Sequence, residues 1–408
     1  MSRITDPLRA SRDFRWLFSG QAISSIGDQL FPIAVAVLVL GGGGSAGDLG
    51  LVLAARVASL VLFALLGGVW ADRLPRVRVL IGADAVRLVA VVGLLLAAAS
   101  SPPVPVLAAL TFAVGAGEAF FRPAYGALLP TVLPADQLGP GNALSSASTH
   151  LAMVLGPGLG GVLVAVTSVE VLFVVDAVTF GVSLLTLLRV REPEHVPSPR
   201  RRVLREMGEG ITAVRQRPWI AAILGMATVQ LLFVVAPCTV LLPIVVRETT
   251  GSTGDFGFVL AVGAVGGLLG ALVAGRWRPR QPGLVGTLGL LAFGLEPLGL
   301  LLDVSIPVLA VLWFVAGLGF GPFLVYWESA LQVDVPRELL ARVISLDWMC
   351  SLALLPLGLA LTGPVVDAVG DEPVLVVAIA VLVISTLLPL LVPGVRDYRT
   401  PADSRQRV

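Results

Sequence analysis

A chain of 408 residues, 56% of them apolar and only 13% charged, has too little polar surface to be soluble, and its net charge of +1 gives no basis for binding nucleic acid. All 28 basic residues are arginine, which removes a phosphate-loop lysine and a Schiff-base lysine, so nucleotide hydrolysis by this chain is not expected. Two cysteines, Cys238 and Cys350, and two histidines, His150 and His195, build neither a disulfide framework nor a metal cage, so no metal or other cofactor is expected.

Read in chain order with a mean hydropathy of +0.92, the sequence divides into twelve apolar runs that predict transmembrane helices. The first six, spans 1 to 6, cover 15–40, 49–71, 78–99, 104–127, 142–166 and 170–189. Spans 7 to 12 cover 219–246, 256–276, 283–302, 306–328, 342–366 and 373–394. Arg3, Arg9, Arg12 and Arg15 precede span 1, in the order of a signal peptide, but the apolar run is too long for one, so span 1 is read as a retained helix. Gly41 to Gly44, Ser100 to Pro103, Pro134 to Pro140 and Gly251 to Gly254 supply turns between spans.

Arginine placement tests the count. With both termini cytoplasmic, 24 of the 28 arginines fall in cytoplasmic segments, one, Arg247, lies outside, and the outer loops carry Asp48, Glu248, Asp303 and Asp371 instead. The polar stretch from Arg189 to Pro218 separates six spans from six. Four segments are expected: an N-terminal six-helix bundle (1–190), a cytoplasmic linker with a short amphipathic helix (191–218), a C-terminal six-helix bundle (219–395) and a cytoplasmic tail (396–408). An offset of 200 aligns Ser145, Leu155, Gly158 and Leu159 with Ser345, Leu355, Gly358 and Leu359, as expected of duplicated halves.

Charges inside spans cost about 2.5 to 3.5 kcal/mol each on insertion scales unless they are paired or face water, so they are the main functional pointers. Asp28 lies near the middle of span 1, Arg56 in span 2, Glu118 and Arg122 one turn apart in span 4, and Asp176 in span 6. Asp28, Arg56, Glu118 and Arg122, with Gln230 of span 7 and Glu296 of span 9, are the candidates for proton coupling and a substrate cavity. The alternative is mutual neutralisation, Asp28 by Arg56 and Glu118 by Arg122. Asp84 and Arg87, near the start of span 3, are expected to form a cytoplasmic gate network with Asp72 and Arg73.

Two motifs carry a family resemblance. Gly68-Val-Trp-Ala-Asp72-Arg73-Leu-Pro-Arg76-Val-Arg78 resembles the loop 2–3 signature of the major facilitator superfamily, in which Gly67 and Gly68 would allow close helix approach and Asp72 would sit at a helix N-terminus near Arg342 of span 11. Gly156-Pro157-Gly158-Leu159-Gly160-Gly161 resembles the antiporter motif of that superfamily's drug exporters, where proline and glycines permit a kink and a tight crossing. The same letters match a dinucleotide-binding fingerprint, but no strand precedes them; Gly43, Ser45 and Gly47 spell a hydrolase elbow, but lie between two apolar helices. FRWLFSGQAISSIGDQLFPIA, AFFRPAYGALLP and LLARVISLDWMCSLALLPLGLALTGP extend the resemblance to the drug:proton antiporter branch, while that fold's span 4 arginine before a Gln-Gly pair is absent and Glu118 and Arg122 occupy the helix.

The resemblance implies an all-α, twelve-helix secondary transporter, not an enzyme, in a bacterial inner membrane. It would be a monomer that exports lipophilic small molecules by exchange with protons through alternating access. Asp28 would carry the proton, with Glu118 in reserve. A siderophore or metabolite exporter, an importer of the same fold, and a membrane sensor or scaffold are the rival readings.

Overall fold

The computed structural model describes residues 6–100, 102–192, 203–250 and 254–398, without the side chains of 65, 69, 71, 72, 203–207, 337, 338 and 341. The side chain of Asp72, most of the linker and both extreme termini therefore lie outside the described residues. Among those described, twelve helical segments are long and apolar enough to cross a membrane, and there is no strand.

Spans 1 to 6 are Arg12–Gly41, Ala46–Arg73, Arg76–Ala98, Val104–Val132, Leu138–Val166 and Val169–Leu187. Span 1 ends in the glycine turn, where the Gly42 N–H bonds the Leu38 carbonyl and Gly43 takes a left-handed φ of 82°. Ser45 caps span 2: its side chain accepts from the Asp48 N–H while Asp48 accepts from the Ser45 N–H at 2.8 Å, a reciprocal capping box that accounts for the serine of the chance elbow match.

The remaining spans contain interruptions that hydropathy does not register. Span 7 is helical over Pro218–Gln230, takes one π turn at Leu231–Val235 and resumes at Ala236–Thr250. Pro237 has no N–H for the Phe233 carbonyl, and the wider turn falls on that residue. Span 9 likewise runs Pro282–Gly289, a 3-10 turn at Leu290–Gly294 that contains the carbonyl four residues before Pro297, and Leu295–Leu301. Span 11 is two helices, Arg337–Ala353 and Leu355–Val369, divided ahead of Pro356. Spans 8, 10 and 12 are Gly254–Arg276, Ile306–Asp334 and Asp371–Leu387.

The chain forms two compact units, Met1–Pro199 and Arg200–Val408. Each repeats one pattern of neighbours: span 2 packs on 4 as 8 packs on 10, span 1 on 5 and 6 as 7 on 11 and 12, and span 3 on 4 and 6 as 9 on 10 and 12. The closest pairs are made by glycine. A Cβ on Gly115 of span 4 would lie 2.1 Å from the Arg56 carbonyl oxygen of span 2, and one on Gly317 of span 10 would lie 2.2 Å from the Gly263 carbonyl oxygen of span 8.

In the first unit a buried cluster of Phe14, Leu17, Leu80, Phe121 and Leu128 packs one end of the bundle. In the second, Trp219 meets Trp327 edge-on at 5.7 Å and Tyr398 at 5.2 Å. Burial there pushes the Tyr398 phenol up to about 12, so it stays neutral. A helix at Val203–Arg215 rests on span 11: Gly210 contacts Leu346, and Arg342 donates to Glu209.

Candidate functional site

The polar interior of the first unit is organised around Arg87, the twelfth residue of a 23-residue helix and therefore about 16 Å from its start. Only 2% of its side chain is exposed. One guanidinium nitrogen donates to Asp28 of span 1, and the other donates to Asp84, one turn earlier on span 3, at 3.2 Å. The second oxygen of Asp84 accepts from Ser183 of span 6 at 2.6 Å. Phe180 lies against the guanidinium face at 4.2 Å and Phe121 at 5.5 Å. Gly117 of span 4 gives the side chain its room, since a Cβ there would meet the Arg87 stem at 2.5 Å.

This arrangement differs from what the sequence suggests for Asp84 and Arg87. They join the midspan carboxylate rather than a gate at the exposed end of span 3, where Arg73 is exposed. Asp28 is neutralised by Arg87 and not by Arg56. It alone of the trio reaches an accessible surface, with 22% of its side chain exposed against none for Asp84.

Arg56 bridges instead to Glu118 across spans 2 and 4 at 3.0 Å, its guanidinium 4.8 Å from the ring of Phe31. Glu118 also accepts from Arg122 at 3.0 Å, the expected pair one turn along span 4. Glu118 is thus held by two cations, and Arg122, half exposed at 55%, is the outer one.

The second unit offers fewer polar groups. Gln230 is buried and donates to Ser385 at 3.2 Å and Thr386 at 2.9 Å, so its amide ties span 7 to span 12. Glu296 is half-buried just after the 3-10 turn of span 9, with no cation beside it among the described residues. Asp347, which sequence passed over, accepts from the Trp327 indole at 3.0 Å.

The motif residues act by packing. Gly156 and Gly160 seat span 5 on span 1, where added Cβ atoms would meet Gln29 at 2.2 Å and Ile33 at 2.7 Å, the turn that follows Asp28. Pro157 and Gly161 are buried in the same continuous helix. In the loop 2–3 motif the close approach is made by Gly67, whose Cβ would lie 2.2 Å from the Ala119 carbonyl oxygen, whereas Gly68 faces open space. Glu192 accepts from the Arg76 and Val77 N–H groups at 3.0 Å each, a carboxylate on the N-terminus of span 3, with the Arg76 side chain 3.7 Å away.

The model of the Major Facilitator Superfamily matches residues 17–358. The chain belongs to that superfamily. As a member of it, the chain is a membrane transporter and not an enzyme. It is 28% identical over 391 residues to the multidrug efflux pump Tap of Mycobacterium tuberculosis, covering 92% of each chain. It is 26% identical over 371 residues to macrolide efflux protein A of Streptococcus pyogenes, covering 88% of this chain and 90% of the other. Among solved structures, a bacterial homologue of the human lysosomal transporter Spinster matches with a TM-score of 0.72 at 18% identity over 95% of this chain and 98% of that one, a likeness of fold.

Proposed function

We propose that this transporter exports lipophilic small molecules in exchange for protons, exposing one site alternately to the two sides of a bacterial inner membrane. The observation that carries the reading is Asp28: a carboxylate midway along span 1, partly exposed, that is paired with a guanidinium buried in the protein. A proton arriving at Asp28 cancels its charge and weakens its hold on Arg87, while Asp84 and Ser183 keep Arg87 fixed on span 3. Loading and unloading this one carboxyl therefore loosens and tightens span 1 against span 3. One charge moved through about 100 mV is worth about 2.3 kcal/mol, which is enough to drive uphill export without nucleotide.

Efflux as the direction, and drugs as the substrate class, follow the relatives named as efflux pumps. Glu118, Arg56 and Arg122 form a second charged group on the same unit, and Glu296 is the second unit's candidate contact. The chain works as a monomer, with both termini cytoplasmic, and takes no cofactor. A susceptibility panel of cells with and without the chain tests the reading: resistance to macrolides, tetracyclines or lipophilic amines is expected, and it should collapse with a protonophore. Unchanged susceptibility across the panel, or resistance that survives the protonophore, would contradict it.

A further inference from the structure

Asp176 of span 6 has no place in the ion pairs above. It is 1% exposed, and neither carboxyl oxygen has a hydrogen-bond partner. Its Oδ1 points at span 1, 2.6 Å from where a Cβ on Gly27 would stand, one residue from Asp28. Asp176, Thr179, Ser183 and Thr186 fall at helical spacing on one buried face, and Gly20 and Gly27 bring span 1 against it. Ser24, between those glycines, is likewise buried with an unpartnered hydroxyl.

The groups around Asp176 fix its charge state. Span 1 contributes Asp28, span 3 contributes Arg87, which also holds Asp84, and Arg56 acts from span 2, where it is already paired with Glu118. The ionisable side chain of span 5, His150, is exposed and bonded to its own helix at the Ser146 carbonyl. Asp28, Asp84, Glu118, Arg87, Arg56 and Arg122 balance, three negative against three positive. An ionised Asp176 would add one uncompensated charge with no hydrogen bond, the costliest state for a buried carboxyl.

We propose that Asp176 is a proton-storing site of this transporter and exchanges its proton with Asp28, with Arg87 held by whichever of the two carboxyls is ionised. The step breaks the O–H bond on Asp176 and forms one on Asp28, so one proton moves, the charge is unchanged, and Arg87 passes from Asp28 to Asp176. Asp28, which is partly exposed, is the port to solvent and Asp176 the buried store. The proposal deepens the proton-exchange reading and rests on it for its purpose, though the stored proton is observable without any transport.

Infrared spectroscopy of the purified full chain, labelled with 13C-aspartate, tests it. At neutral pH the wild type should show an aspartic acid C=O band that shifts in D2O and is absent in Asp176→Asn, and Asp28→Asn, which leaves Asp176 as the carboxylate that holds Arg87, should lose the band at neutral pH and regain it at acid pH. No band in the wild type, which needs no variant to fold, would overturn the proposal. A band kept in Asp176→Asn, a band that persists unchanged at neutral pH in Asp28→Asn, or a band displaced by sodium at constant pH would overturn it too. A failure of efflux would count against the transport reading and leave the band untouched.

Discussion

Arg87 shows how much a single buried cation organises. It holds Asp28 and Asp84 on two spans with 2% of its side chain exposed, so removing it leaves two carboxylates without a counter-charge. Arg87→Met is therefore expected to destabilise the protein by about 3 to 5 kcal/mol, read as a lowered midpoint of thermal unfolding in detergent, with part recovered on adding Asp84→Asn. Arg122→Gln removes the outer, half-exposed partner of Glu118, and its effect should stay within about 1 kcal/mol. Asp28, Arg56 and Glu118 are legible in the sequence because each is a charge within an apolar run. The role of Arg87 is not, because Asp84 and Arg87 lie close to Arg76 and Arg78 and read as a gate network near the cytoplasmic end of span 3. Depth along span 3 was the missing signal, since a residue about 16 Å into a helix is well inside the bilayer's hydrocarbon.

At the scale of helices, the number and approximate limits of the spans follow from hydropathy alone, because about 20 apolar residues have few other uses. The π turn of span 7, the 3-10 turn of span 9 and the break in span 11 do not, since a proline's effect depends on whether the neighbouring carbonyls find other partners. Nor does sequence show which glycines touch a neighbour. Gly317→Val should abolish monodisperse protein on size exclusion, because a Cβ there meets the Gly263 carbonyl oxygen at 2.2 Å and the Gly267 nitrogen at 2.7 Å. Gly68→Ala, facing open space within a familiar motif, should leave yield and elution unchanged. A reversed outcome would mean that these helix contacts do not govern folding. Glu209→Gln, at a half-exposed pair with Arg342, should cost at most about 1 kcal/mol.

For the whole molecule, the two units have matching neighbour patterns, the arrangement expected where residues align at an offset of 200. The arginine distribution predicts an orientation that can be measured. In a background with Cys238 and Cys350 replaced, Thr212→Cys should be protected from an impermeant thiol reagent in intact cells, and Ser45→Cys and Asp371→Cys should react; labelling of Thr212→Cys from outside would overturn the orientation. The proposed function turns on Asp28. Purified protein in liposomes, loaded with a substrate that the susceptibility panel identifies, should carry it against its gradient when an inward proton gradient is imposed. Asp28→Asn should lose that response while still binding the substrate, because it removes the one carboxyl of the buried trio that reaches an accessible surface. Gradient-driven efflux by Asp28→Asn at the wild-type rate would contradict the account.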